Sequence, residues 1–226
     1  MCQRCPEPRQ LVIKNYKMEG KKIKVLLVNG SPRPNHNTGK ALKAAMEDAI
    51  KAGAEAELIN IYSIKNLKGC YSCFRSQRKG FDKTYPVCCI KDDLWPYLDK
   101  AREANVVIMG SPVYFSYPTG EFRSFYERFL FPKYSYVVDA PLRDPKNVAC
   151  IFTMNCPKHS FEHANYPILL GENGCDARMV YGFGENLYIY KCRILIISNS
   201  KKKEIGSSFY NSVGTWFEFS LKVERF

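Results

Sequence analysis

Two segments of the chain concentrate residues able to hold an anion and a flat polar ring, and a third gathers thiols. The segment NGSPRPNHNTGK (residues 29–40) offers hydroxyls at Ser31 and Thr38, amides at Asn35 and Asn37 and a guanidinium at Arg33. It lies between an apolar run and an amphipathic stretch, so the N–H groups of a helix start join that donor set, and the positive end of the helix favours negative charge. Together they suit one phosphate monoester. A nucleoside-triphosphate loop does not fit, because that pattern places four residues between its first Gly and a Gly-Lys-Ser/Thr triplet. Here eight residues separate Gly30 from Gly39, and Ala41 follows Lys40. The plainer alternative is a strand-to-helix turn with Thr38 as its N-cap.

The segment GSPVYFSYPTGE (residues 110–121) supplies aromatic side chains beside backbone polar groups, the pairing a flat amphipathic ring requires. Its alternative is a core loop leading into an aromatic helix. Cys70 and Cys73 form a C-x-x-C, and Cys88 and Cys89 follow ahead of IKDD. Two such pairs could bind zinc, although the second half matches that pattern poorly. They could equally be reduced thiols, among them a labile dithiol. Cys150, inside an apolar run, reads as a buried small residue. His159 and His163 are four apart but lack the acidic partner of a known metal motif.

These segments need elements to position them. IKVLLVN (23–29), ELINIY (57–62), NVVIMGSP (105–112) and NVACIFTMN (147–155) are apolar runs of the kind found in strands covered on both faces. Between them, TGKALKAAMEDAIKAG places Leu42, Ala45, Met46, Ala49 and Ile50 on one helical face and closes with Gly53. DDLWPYLDKAREA opens with acidic residues suited to a helix N-terminus and keeps Pro96 within the first turn. TGEFRSFYERFLF puts Phe122, Phe125, Tyr126 and Phe129 in one stripe behind Thr119 as N-cap. Strands alternating with helices imply right-handed crossovers, a doubly wound parallel sheet, and ligands at the C-terminal ends of its strands.

Composition narrows the function. The 226 residues carry a formal charge of +12. Residues 1–24 hold seven Lys or Arg against two Glu, and residues 191–226 hold seven against three. The remaining 20 basic and 17 acidic side chains are too balanced for a surface that tracks phosphates, so no nucleic-acid partner is expected. No apolar run reaches the roughly 18 residues of a membrane span, and the opening MCQRCPEPRQ lacks the apolar stretch of a secretory signal. The expectation is a cytoplasmic protein whose ten cysteines are mostly reduced.

In order, NGSPRPNHNT, GCYSCF, CCIKDD and GSPVYFSYPTGEFRSFYERFLFP resemble the flavodoxin-like NADPH-dependent FMN reductases, including their iron-sulfur flavoprotein branch, over residues 23–156. The resemblance implies a flavodoxin-like α/β/α fold with parallel strand order 2-1-3-4-5, noncovalent FMN, NAD(P)H as a transient electron donor, and a homodimer. It implies that Ser31, Arg33, Asn37 and Thr38 cradle the FMN phosphate. Pro112, Val113, Tyr114 and Phe115 would run along the flavin ring, and Thr153 and Asn155 of TMN would supply a third contact. Redox chemistry would then belong to the flavin, and no side chain is assigned as a catalytic acid or base.

Iron-sulfur members use a compact run of four cysteines, and a cubane cluster demands four thiolates. Here the position three after Cys73 is Ser76, which leaves Cys70, Cys73 and Cys88, with Cys89 as a fourth candidate. The expected function is transfer of electrons from nicotinamide through FMN to a flavin, quinone or similar small acceptor. The alternatives are a non-catalytic flavodoxin-type or iron-sulfur electron carrier and a flavin-free thiol sensor. Residues 1–20 read as an N-terminal extension and 21–190 as the FMN-binding domain. YGFGENLYIY (181–190) still resembles the family's fifth-strand region. Residues 191–226 form an atypical tail with one apolar run, accounted for either by an altered fifth strand or by a shifted reading frame.

Overall fold

A computed structural model describes residues 22–75, 88–134 and 146–155 with their side chains, and the backbone of residues 182–190, 193–198 and 201–202. In chain order the elements are β1 (Lys24–Asn29), α1 (Asn37–Lys51), β2 (Glu55–Asn60), α2 (Trp95–Glu103), β3 (Val106–Tyr114), β4 (Tyr117–Pro118), α3 (Gly120–Leu130), β5 (Lys146–Met154), β6 (Gly182–Tyr190), β7 (Arg193–Ser198) and β8 (Lys201–Lys202). Single 3-10 turns follow β2 (Ile61–Ser63) and α3 (Phe131–Lys133).

The sheet order is β2-β1-β3-β5-β6-β7-β8, with the two-residue β4 folded back on β3. The pairs from β2 to β6 are parallel. Counting β5 and β6 as the fourth and fifth parallel strands, this is the expected order 2-1-3-4-5. β7 and β8 then extend the edge with antiparallel pairing, so the apolar run of the tail is a strand.

Alternation along the buried strands sorts side chains onto two faces. Val25 and Leu27 of β1, Val106 and Ile108 of β3, and Ile151 of β5 pack with Ala41, Leu42, Ala45 and Ala49 of α1. Leu26, Val28, Val107, Met109, Val148, Cys150 and Phe152 face the other way, against Leu98 and Ala101 of α2 and Phe122, Phe125, Tyr126 and Phe129 of α3. The result is three layers, and Cys150 is the buried filler its context suggested.

Local chemistry explains the helix ends. Ala54 N–H donates to Ala49 O at 3.0 Å and Gly53 N–H to Ile50 O at 2.9 Å, a Schellman closure that needs the left-handed φ of +89° found at Gly53. Thr119 caps α3 by accepting from Phe122 N–H, and Pro96 stands in the first turn of α2. Three expectations are corrected. Ile50 turns outward and is 51% exposed, because the face that meets the sheet runs through Ala41, Leu42, Ala45 and Ala49 and ends before it. Asp92 and Asp93 lie ahead of the first turn of α2 and bind Lys68 and Asn66 of the preceding loop. The N-cap of α1 is His36, with no side-chain cap bond, so Thr38 already lies inside the helix.

Candidate functional site

β1 and β2 both end in asparagine, and in register Asn29 stands beside Asn60. The wholly buried Asn29 organises the turn that follows. Its amide donates to Asn60 Oδ1 at 2.9 Å and to Pro34 O at 3.3 Å, while its Oδ1 accepts from Ser31 N–H at 3.1 Å. Ser31 Oγ, itself buried, donates to Arg33 O and accepts from Arg33 N–H, both at 3.2 Å. These bonds shape a tight loop whose outer residues, Pro32 to Asn37, are exposed. The loop packs so closely on α1 that a Cβ at Gly39 would collide with the Pro34 carbonyl.

The start of α1 is therefore an open set of donors. Its leading N–H groups have no intrahelical acceptor, His36 supplies no cap, and the first helical bond runs from Lys40 N–H to His36 O at 2.8 Å. Such a terminus beside an exposed guanidinium-bearing loop fits a phosphate monoester. The Thr38 hydroxyl, buried at the same end, shares a 2.7 Å bond with the hydroxyl of Thr153 at the end of β5.

The loop after β3 reaches the same rim. Gly30 N–H donates to Gly110 O at 2.7 Å, and Thr119 Oγ1 donates to Gly30 O, also at 2.7 Å. Ser111 Oγ accepts from Thr119 N–H at 3.0 Å and donates to Pro112 O at 2.8 Å. Between them Val113 to Pro118 form a small hairpin whose tip residues, Phe115 and Ser116, have φ of 47° and 75°. Positive φ at both central positions defines a type I′ turn, which Asn-Gly usually occupies, so a Phe-Ser tip is strained. It projects Phe115 fully into solvent, with Tyr114 and Tyr117 also exposed. Tyr62, after β2, lies beside Thr119 and Glu121 at the start of α3. Burial first, and then a hydrogen bond with Glu121, push its hydroxyl up to about 12.

All ten residues singled out for a cofactor thus gather at the C-terminal ends of β1, β3 and β5, on the last residues of β3 and β5, the turns that follow the strands, and the first turn of α1. Direct bonds tie the first turn to both others. Ser31, Thr38 and Thr153 are buried, Arg33, Asn37, Tyr114, Phe115 and Asn155 are exposed, and Pro112 and Val113 are intermediate. Sequence reasoning passed over Asn29, Asn60 and the rim role of Thr119. The signal for the asparagines was present, since a parallel pair of apolar strands each ends in the same polar residue.

The four thiols converge elsewhere. Cys70, Cys73, Cys88 and Cys89 line one cleft with Tyr71, Ile90 and Arg128, and Cys73 Sγ lies 3.5 Å from Cys89 Sγ. Arg128, 1% exposed, holds the cleft together. Its Nε donates to Cys88 Sγ at 3.3 Å, Nη1 to Lys68 O and Asp92 Oδ2, and Nη2 to Ile90 O and Asp92 Oδ1. Burial pushes the Cys89 thiol up, and the neighbouring Cys73 adds to it.

This arrangement does not fit a cubane cluster. Each cysteine of such a set binds a different iron, so ligand sulfurs stand a cluster's width apart, whereas Cys73 and Cys89 are in contact. Their spacing approaches the roughly 3.8 Å edge of a tetrahedral zinc-thiolate site with bonds of about 2.3 Å. Yet among the described residues no three His, Cys, Asp or Glu side chains are placed to hold a metal ion. His159 and His163 lie outside the described residues. No helix among the described residues is long and apolar enough to cross a membrane.

Residues 23–166 match the family model described as NADPH-dependent FMN reductase. An iron-sulfur flavoprotein of Archaeoglobus fulgidus is 35% identical over 108 residues, which cover 47% of this chain and 48% of the relative. One from Methanocaldococcus jannaschii is 33% identical over 106 residues, covering 47% and 51%. The chain therefore spans about half the length of the curated relatives it matches. Among solved structures, an NAD(P)H:quinone oxidoreductase from Methanothermobacter marburgensis superposes with a TM-score of 0.55 at 12% identity, covering 75% of this chain and 84% of the other. That likeness is one of fold.

Proposed function

Because the chain belongs to the NADPH-dependent FMN reductase family, we propose that it is a flavin-dependent oxidoreductase that takes electrons from NAD(P)H and passes them to a small aromatic acceptor such as a quinone or free flavin. The observation that carries this is the convergence of the three rim turns, with Gly30 bonded to Gly110 and Thr119, and Thr38 to Thr153. FMN bound by these turns would supply the hydride-accepting ring through which electrons pass to the acceptor.

The chain's own part is to bind and orient. The leading N–H groups of α1, with Arg33 and Asn37, grip the phosphate first, since they have no competing partner inside the helix. Ser31 and Thr38 add their hydroxyls only by turning them from Arg33 O and Thr153, where they now bond. Pro112, Val113, Tyr114 and Phe115 flank the ring, while Thr153 and Asn155 close its third side. The exposed hairpin aromatics give a planar acceptor or nicotinamide a surface on which to stack.

Titration of the purified apoprotein with FMN, followed by quenching of flavin fluorescence, tests the binding step. The expectation is one equivalent bound at micromolar concentration, then bleaching of the flavin band by NADPH or NADH and reoxidation by a quinone. Failure of a folded preparation to bind FMN overturns the proposal. Binding without bleaching by either nucleotide identifies an electron carrier of flavodoxin type instead.

A further inference from the structure

We propose that Cys73 and Cys89 are a redox-active dithiol that low-molecular-weight disulfides oxidise to an intramolecular disulfide. The two sulfurs are 3.5 Å apart and need close only the remaining gap to the roughly 2.05 Å of a disulfide bond. Each is held toward the other by a separate device. On one side, Ser72 and Phe74 have left-handed φ values of 55° and 52°, so the backbone on both sides of Cys73 is constrained to present it. On the other, Cys88 is pinned by Arg128 Nε at its sulfur and by Trp95 Nε1 at its carbonyl, 2.8 Å away. That fixes the position of the adjacent Cys89.

Access and competition favour the same pair. Both thiols are partly exposed and line the same cleft. Cys88 shares the cleft, but its sulfur is engaged by the Arg128 guanidinium. Cys73 and Cys89, in contact at 3.5 Å, are also closer together than two ligands of one cubane cluster stand.

The exchange balances without any further reagent. A Cys73 thiolate attacks one sulfur of R–S–S–R, forming a mixed disulfide and releasing RS⁻, which takes up the proton that Cys73 lost. Cys89 then attacks the Cys73 sulfur, the mixed disulfide breaks, and the second thiolate leaves with the Cys89 proton. The protein loses two electrons and two protons, and the small disulfide gains them as two thiols.

The full-length protein, equilibrated in buffers of oxidised and reduced glutathione, quenched with iodoacetamide and digested with trypsin, tests the proposal. Trypsin separates GCYSCFR (residues 69–75) from TYPVCCIK (residues 84–91). The expected product joins these two peptides, is lighter than their sum by two hydrogens, and disappears as the buffer is made more reducing. Fragment ions of that wild-type product should place the bridge at Cys73 and Cys89, so the test does not depend on a variant folding. Cys88→Ser and Cys70→Ser should retain the bridge, and Cys89→Ser should lose it. A bridge through Cys88, a stable glutathione adduct as the end product, or alkylation of all four thiols in oxidising buffer overturns the proposal. So does iron or zinc in stoichiometric amount in anaerobically purified protein whose thiols become alkylatable only after chelation.

Discussion

Replacing Asp92 by Asn tests whether one buried ion pair organises the loops around the thiol cleft. The side chains of Arg128 and Asp92 are 0% and 5% exposed. Two short bonds join them, at 2.6 and 2.8 Å, and Lys68 N–H adds a third to the carboxylate at 2.9 Å. With Cys88 Sγ, Lys68 O and Ile90 O as the other acceptors, all five donors of the guanidinium are used. Removing one partner of such a pair leaves a buried charge without compensation and costs about 3–5 kcal/mol. Asparagine keeps one acceptor, which argues for about 3 kcal/mol. With a urea slope of about 2 kcal/mol per molar, the unfolding midpoint should fall by about 1.5 M.

The pH dependence supplies an independent check. Burial pushes the Asp92 carboxyl up, but the bond from Arg128 and the Lys68 N–H outweigh it and hold it below its usual range. The carboxylate's contribution is therefore complete above the unfolded value of about 3.9 and is lost as pH falls through the lower folded value. The gap in stability between wild type and Asp92→Asn should be constant from about pH 5 to 7 and narrow below about pH 4. The double variant Arg128→Met/Asp92→Leu should recover part of the loss, since a packed apolar pair has no desolvation penalty. A midpoint shift under about 0.5 M at neutral pH, by the same slope, or a gap that does not narrow in acid, would refute the argument.

Three further outcomes follow from the same geometry. Gly39→Ala should abolish FMN binding in fluorescence titration while a folded circular-dichroism spectrum persists, because the added methyl drives the Pro34 carbonyl out of the phosphate turn. Lys146→Met should cost about 2 kcal/mol in urea unfolding, since the buried Lys146 ammonium donates to Ala101, Arg102 and Ala104 carbonyls at the end of α2. The difference between the ultraviolet titrations of wild type and Tyr62→Phe should place the Tyr62 hydroxyl near pH 12, and the same difference in a Glu121→Gln background should fall earlier. Because its folded value lies above the unfolded value of about 10, the stability it lends is present below pH 10 and lost as pH rises toward 12.

The fold was legible where a single physical rule dominates. Apolar runs with both faces buried located β1, β3 and β5, and the Thr119 cap and Gly53 closure located helix ends, because each depends on neighbours a few residues away. What escaped depends on partners far along the chain. Arg128 sits in a stripe reading FYERFLF, where an arginine normally snorkels outward, and its burial is explained by Asp92, 36 positions upstream, and by the acceptors of Cys88, Ile90 and Lys68. Asp92 and Asp93 suit the dipole of α2, yet a loop offering unpaired N–H groups at Asn66 and Lys68 competes for them and wins. The β3–β4 hairpin carries no Asn-Gly signal, since Phe115 and Ser116 occupy a turn that disfavours both.

The position of the rim turns follows from how the sheet is wound. β1 lies between β2 and β3, and the chain leaves it toward β2 through α1 on one face, while β3 leaves toward β5 through α3 on the other. The two loops therefore part just beyond the bond from Gly30 to Gly110, and backbone groups past that point lose the ladder that would have satisfied them. Side chains take over. Thr119 uses one hydroxyl to accept from its own helix and donate to Gly30 O, Asn29 replaces a missing strand neighbour for Ser31 and Pro34, and Thr38 and Thr153 join across the gap. The N–H groups at the start of α1 are what this substitution leaves over. Filling them with a helix-capping side chain, as His36→Asp would, should stabilise the unliganded protein by about 1 kcal/mol. The same change should weaken FMN binding about tenfold or more, because the new carboxylate occupies and repels the phosphate site; unchanged FMN affinity would place the phosphate elsewhere.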